Sequence, residues 1–461
     1  MKINAILDQI ERTLYSNSDD GTGAGSKSAD ESEFMAGDVE ILDISIFSED
    51  QQRSYSLMTM CKSFVVHESI LSPVIYAELN CIDPNGIRQS FPFIGEEYVV
   101  ISFKTPGTTS ETKYFLRVNA VVGVNLIQGN KTQTYTLQCC SAEVLRNAST
   151  TVSKRFDAPA SDCIEELLTD PSFLGTQKPF IKEPSKGVFS GICPANPHAV
   201  GSLGAPTPFV AIDYLRRYHS ASSRYLSSSY VFFENKHGFN FVTIEKMMED
   251  GEKLIAAGGS DKEFFMDSNS KLDMRNVTVR DILAYNQPVF ASAVSKVQSG
   301  AQHKIVNNLD LITMNVTRLN YVDNEGADTF RTADGPSSAA PTTTTFQRTH
   351  GTTTAVSVAR FTRSDRPETY YPEKMSIISS YANKLTQNIT QTHVYGDSDV
   401  TVGDMIKCSF PSTVESDDTT GVSRLDSGNY LVAKLCHIII NSDRPQHTMS
   451  FELIKGGFTE N

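Results

Sequence analysis

Three groups of residues have types and spacing that suggest chemistry, and each meets an objection from its own neighbours. Glu96 and Glu97 supply two adjacent carboxylates, the raw material of a glycosidase. Neighbours on a strand point to opposite faces, so these two acids point apart, and a turn or edge role explains them more simply. His437 beside Cys436 suggests a metal-ligand pair or a nucleophile with its base. The same alternation separates them, and a core histidine with a hydrogen-bond partner is the simpler reading. Gly21-Thr22-Gly23-Ala24-Gly25-Ser26-Lys27-Ser28 has the glycines and lysine of a phosphate loop. Ser26 stands where that motif needs glycine, and a polar segment precedes it in place of a strand. The nine histidines are scattered and no HExxH occurs. No catalytic residue, cofactor or metal is therefore assigned, and the expectation is a protein that is not an enzyme.

Composition bounds the rest. The 461 residues are 39% hydrophobic and 21% charged, which suits three or four folded domains with ordinary cores. A formal charge of −13 argues against a nucleic-acid-binding face, because phosphate recognition needs clustered Lys and Arg. No stretch of about 18 apolar residues exists to anchor the chain in a membrane. Met1-Lys2-Ile3-Asn4-Ala5 lacks the continuous apolar core of a signal peptide, so the expected place of assembly is a cytoplasm. Eight cysteines without CxxC spacing then act as small core hydrophobes, with Cys139 and Cys140 facing opposite sides of one strand.

The elements that must position any function show a repeat. The run Phe93 to Phe103 is echoed by Val400 to Phe410 with a one-residue slip, and Tyr114 to Asn125 by Tyr430 to Asn441. A third match sets Thr134 to Cys139 beside Thr448 to Leu453. The signature of this small β-unit is Gly95, Glu96, Tyr114 and Asn125 in the first copy, and Gly403, Asp404, Tyr430 and Asn441 in the second. Alternation with Gly-acid turns occurs in many β-proteins, so the order of the three matches matters more than any one of them.

Along the chain, residues 1–36 hold an amphipathic helix with Ile3, Ile6, Leu7, Ile10 and Leu14 on one stripe, then a flexible Gly/Ser-rich link. Residues 37–155 form a first antiparallel β-barrel: Leu42, Ile44 and Ile46 point inward, as do Ile75, Ala77, Leu79 and Cys81, and Val99, Ile101 and Phe103. Asp83-Pro84-Asn85-Gly86 is a turn. Residues 156–300 are α+β, with a helix capped by Asp162, a second opened by Pro208, a hairpin about Asn235-Lys236-His237-Gly238, and a helix from Glu245 to Ala257. Residues 301–375 connect through a Thr/Ser/Pro-rich stretch, 326–355, too polar to order itself and so a mobile or extended insertion. Residues 376–461 begin with a helix over 376–386 and end in the second barrel. The fold class is mainly β, with two similar antiparallel barrel units flanking an α+β region.

Ile70-Leu71-Ser72-Pro73-Val74-Ile75-Tyr76-Ala77-Glu78-Leu79-Asn80, Phe91 to Glu97, Tyr135 to Gln138 and Ser141-Ala142-Glu143 together resemble the first tube domain of contractile-tail baseplate hub proteins of T-even-like myophages. Tyr230 to Asn235 with Gly238 to Phe241 is similar to the hairpin of that family's middle. Val402-Gly403-Asp404, Ser427 to Val432, His437 and Glu452-Leu453 are similar to its second tube domain. The resemblance implies a homotrimer whose six tube domains make a pseudo-six-fold ring in the virion's tail baseplate. Such a ring joins the hexameric tail tube to a trimeric central spike, contacts other baseplate proteins, and passes the tape-measure protein and then DNA. An acidic chain suits a channel wall that repels phosphate. A non-phage contractile injection hub shares this fold, and a β-rich glycan-binding or hydrolase module is the non-structural alternative. The absence of Trp argues against the last.

The N-terminal stripe generates a test. A helix so short is marginal alone, so its five apolar side chains need a partner surface. Deleting residues 1–30 is expected to leave the purified protein's thermal unfolding unchanged while weakening its incorporation into baseplates, measured by co-sedimentation.

Overall fold

The computed structural model describes residues 35–455 apart from positions 51, 92, 107, 109, 127–131, 194–204, 226–228, 259–261, 267–279, 290–302, 311–314, 323–351, 355–384, 386–388, 413–421 and 424–425. The N-terminal stripe, the phosphate-loop-like segment and the expected 376–386 helix lie outside it, save Leu385, which is helical and buried.

The first β-unit contains β1 (Glu40–Phe47), β2 (Ser54–Ser56), β3 (Cys61–Ser69), β4 (Tyr76–Asp83), β5 (Tyr98–Lys104), β6 (Thr112–Leu126) and β7 (Gln133–Ser141). They pair in the order β3-β4-β7-β6-β5-β1-β2. In β4, Ala77, Leu79 and Cys81 are buried while Tyr76, Glu78 and Asn80 face solvent, as period-2 geometry requires. Val99, Ile101 and Phe103 of β5 are buried in the same core, and Tyr98 and Val100 pack with Phe115 on the strand's other face. Leu42 departs from its expected inward position: a register shift between Ile41 and Asp43 leaves it 39% exposed. The Asp83–Gly86 turn stands, with Asp83 accepting from the amides of Asn85 and Arg88 and Gly86 at φ 67°.

The middle region holds β8 (Arg155–Ala158), β9 (Phe180–Lys182), β10 (Phe189–Ile192), β11 (Tyr230–Asn235) and β12 (Gly238–Thr243). The β11–β12 hairpin turns through Lys236-His237, and β9 adds to it in parallel. The helix Ala160–Thr169 buries Ile164, Leu167 and Leu168 but starts after Pro159, not after Asp162. Asp162 lies in the first turn and, with Glu165, holds the Lys182 ammonium instead. Pro208 opens the helix Pro208–Tyr214, and the helix Ile244–Ala256 is capped by Thr243.

The remaining strands are β13 (Glu263–Phe265), β14 (Ile282–Val289), β15 (His303–Asp310), β16 (Asn315–Val322), β17 (Thr352–Thr354), β18 (Ile389–Tyr395), β19 (Met405–Ser409), β20 (Gly428–Ile440) and β21 (Gln446–Ile454). At the end of the Thr-rich stretch, Thr352–Thr354 is extended and pairs in parallel with β15. The other strands, β15 and β16 excepted, form a second unit in the order β14-β18-β21-β20, with β19 along the first half of β20 and β13 beside β19.

The expectation of two barrels requires correction on one point. Among the described residues neither unit closes on itself. The two units join edge to edge through β20 and β3 into one sheet of 13 strands. The apolar cores respect this join: Ile439 of β20 packs in the first unit's core, and Ile70, just beyond β3, in the second's. Cys139 and Cys140 face opposite sides of β7 as expected, with Cys139 in the first unit's core. Both are nonetheless buried, because Glu143, just after β7, and Glu234 of the middle region lie beside Cys140. There, Lys178 bridges Glu143 (2.8 Å) and Glu234 (2.7 Å), with all three buried.

Because Ile439 is fully buried in the core of a unit that begins some 400 positions earlier in the chain, Ile439→Ala is expected to cost about 2–5 kcal/mol. Chemical denaturation should show the loss in a single transition shared by both units.

Candidate functional site

The seam between the two units brings together buried polar groups from distant parts of the chain. β20 can reach both units because it is long and rich in β-branched and aromatic residues, with Tyr430, Val432 and Ile438-Ile439-Ile440. Its first residues pair with β19, a bulge falls at Ala433, and Lys434 to Ile440 pair with Ser69 to Ser63 of β3. The bulged Ala433 carbonyl accepts from the Ile70 amide at 3.0 Å, so the irregularity leaves no orphan there. Asn441 closes the far end, donating from its side chain to the carbonyls of Met58 (2.6 Å) and Cys61 (2.9 Å).

Glu68 lies across this seam with 2% exposure. Its carboxylate accepts from the Tyr114 hydroxyl (2.8 Å), the Thr401 hydroxyl (2.6 Å) and the Val402 amide (3.2 Å). Burial raises its pKa, and the Thr401 and Tyr114 bonds oppose that rise. The loop before β19 is threaded onto the first unit in the same way. Ser398 and Thr105 exchange bonds at 2.9 and 3.0 Å, Thr112 donates to the Ser398 carbonyl at 2.7 Å, and Lys236 of the hairpin donates to that carbonyl at 2.7 Å. All three regions of the chain thus meet at residues 397–404.

His437 and His447 form the second buried feature. Nδ1 of His437 lies 3.0 Å from Nε2 of His447, and Phe103 of the first unit places its ring 5.4 Å from each. The outer nitrogens, His437 Nε2 and His447 Nδ1, have no partner among the described residues. Burial, the neighbouring ring and the Lys236 charge hold His437 well below its usual pKa, while burial takes His447 down to about 3 against a small opposing pull from Asp397. Gly396 is required beside this pair, since a Cβ there would fall 2.0 Å from the His447 ring.

The residues singled out from the sequence divide between this seam and the rest. Tyr114 and Asn441 belong to it. Tyr430 is buried like Tyr114 but donates to the Asp426 carbonyl. Asn125, next to last in β6, is exposed, with a local bond to the Gly123 carbonyl. Gly95 and Gly403 both take left-handed φ, 96° and 90°, in turns that lead into β5 and β19. Glu96 is exposed beside Arg117, whereas Glu97 folds back to accept from the amides of Ile94, Gly95 and Glu96. Asp404 does the equivalent for Thr401 and binds Lys262. Cys436 and His437 lie on opposite faces, so no nucleophile and base are brought together from these candidates. Among the described residues no group of three or more His, Cys, Asp or Glu is arranged to hold a metal, and no helix is long and apolar enough to cross a membrane. Glu68, Lys236 and His447 escaped the sequence reading. Glu68 was the legible one, as a charge in phase with the inward Phe64 and Val66.

The two histidines generate a pH prediction. A histidine near 6.5 when unfolded and about 3 when folded binds its proton only in the unfolded chain between those values, so its stabilisation is present above pH 6.5 and lost as pH falls. His447→Gln is therefore expected to remove up to about 1.4 kcal/mol per pH unit of acid sensitivity below about pH 6.5. Urea denaturation of both proteins at about pH 7 and about pH 5 measures the difference, and parallel pH profiles would refute it.

No protein-family model matches the sequence, and no curated protein matches it. Solved structures do. The tail protein from Neisseria meningitidis MC58 superposes with a TM-score of 0.51 at 7% identity, covering 90% of this chain and 96% of that one. The 43 kDa tail protein of prophage MuSo2 from Shewanella oneidensis gives 0.52 at 8% identity, covering 90% and 99%. At such identities the likeness is one of fold, and this chain has the fold of those tail proteins.

Proposed function

We propose that the chain is a structural hub of a contractile-tail baseplate. Three copies form a ring that joins the hexameric tail tube to a trimeric central spike, and the ring's channel passes the tape-measure protein and then DNA. The observation that carries this reading is the duplicated unit seen within a tail-protein fold. The strand order β4-β7-β6-β5 recurs as β18-β21-β20-β19, and the register recurs with it. Tyr114 lies opposite Ile101 as Tyr430 lies opposite Ile406. Leu79, Leu137 and Val121 form one row as Val394, Met449 and His437 form the other. This register sets Thr136, two residues on from Thr134, against Thr448, and it separates Gly95 from Gly403. Two similar units on one chain let a three-fold ring present six similar faces to a hexameric tube.

The sheet face turned away from both cores lines the channel in this arrangement. On β21, β20, β3 and β4 its charged side chains are Lys62, Glu78 and the Lys434–Glu452 ion pair, two of each sign. The net acidity of the chain therefore lies elsewhere, and DNA passes because the wall carries no cationic cluster, rather than because it repels phosphate. The hub needs no catalytic group, and no enzymatic role is assigned.

Mass photometry of the purified chain mixed with its tube and spike proteins is expected to give a hub of three 50.7 kDa copies, seen as a ring with a central hole by negative-stain imaging. A persistent monomer under those conditions would overturn the reading.

A further inference from the structure

Each unit of the sheet contains a four-strand set, β3-β4-β7-β6 in the first and β14-β18-β21-β20 in the second. The chain joins these sets once, through β20 and β3. Among the described residues, the two strands that would make the same joint at the outer ends are left without it. β5 pairs only with Thr112 to Arg117 of β6, and beyond the Val118–Glu97 bond the remaining edge of β6 has no strand beside it among the described residues. Among the described residues β14 pairs with β18 alone. Val122, Val124 and Leu126 are 38%, 42% and 69% exposed, and Leu283 of β14 is 42% exposed. A long bare edge of this kind is a site for strand addition, and proteins normally cover or charge it.

We infer that the bare half of β6 pairs antiparallel with β14 of a second copy of this chain, repeating between copies the joint that β20 and β3 make within one. The inference rests on the ring reading above and names the strands and the register that build the ring. Within the chain, Cys436, His437 and Ile438 face His67, Val66 and Val65. The β6 residues in those positions are Ala120, Val121 and Val122, judged by their β7 partners Gln138, Leu137 and Thr136. The β14 residues in the β3 positions are Asn286, Tyr285 and Ala284, judged by their β18 partners Gln391, Thr392 and His393. Between copies, Ala120 therefore faces Asn286, Val121 faces Tyr285 and Val122 faces Ala284. Joining unlike edges is a head-to-tail contact, which builds a ring when its rotation closes.

The test is a double cysteine variant, Val122→Cys with Ala284→Cys, oxidised at the concentration where the wild type is oligomeric. Directly opposed antiparallel residues have Cα atoms about 4.5–5.5 Å apart, within disulfide reach. The native cysteines are buried apart from the half-buried Cys436. Expected are covalent species of up to three chains on a non-reducing gel, with at least about ten-fold less from either single variant or from Val122→Cys with Asn286→Cys, which is two residues out of register. Rings seen by mass photometry without this cross-link would overturn the strand assignment and leave the ring reading standing. A monomer with tube and spike proteins present would overturn both.

Discussion

The constraint on which the rest of the molecule depends is that a backbone amide or carbonyl at a sheet edge must find a partner or remain in water. One strand, β20, meets it for both units. Its first turn of pairing serves β19, its bulge at Ala433 redirects it, and its second half serves β3. The bulge changes the strand's direction without losing the Ala433 carbonyl's bond. Ile439 and Ile70 then exchange cores, so that neither unit's apolar interior is complete without the other's chain.

The polar groups buried at the seam follow from that join. A carboxylate such as Glu68 is costly to bury, and three donors from two distant segments offset the cost only when the units are docked in one register. The same logic applies to Lys178 with Glu143 and Glu234. Burial raises Glu234, while at Glu143 the same burial effect is outweighed by the Lys178 charge and its bonds. Such groups add little net stability over an apolar packing, yet they penalise any slipped arrangement heavily, because a slip strands a charge. A two-residue slip of β20 on β3 would keep every apolar side chain on its own face. The polar set at the seam discriminates against it.

A duplicated unit in one sheet also explains why the two copies share register while sharing few residues. Row by row, apolar positions are conserved in character, as Leu79-Leu137-Val121 corresponds to Val394-Met449-His437. The exception, His437 in place of an aliphatic residue, is answered by His447 within the same unit.

By itself the sequence determined most strands of the two repeated units, their alternation and the order of the repeat, because period-2 burial and turn chemistry are local. Ala77, Leu79, Cys81 and the turn at Asp83–Gly86 are of this kind, as are the Pro208 helix start and the Lys236-His237 hairpin. Tertiary structure decided whatever depends on which edge meets which. Alternation cannot say whether a unit closes on itself or lends its edge to another, since both satisfy the same pattern, and here the edges were joined. A bulge at Leu42 overrode local alternation, and residues from elsewhere in the chain covered the Cys140 face of β7, for the same reason. The partners of Glu68 and His437 lie 333 and 10 residues away, and only the first was beyond reach of a local reading. What the sequence left open was the contact between distant edges, because backbone hydrogen bonds carry no residue identity.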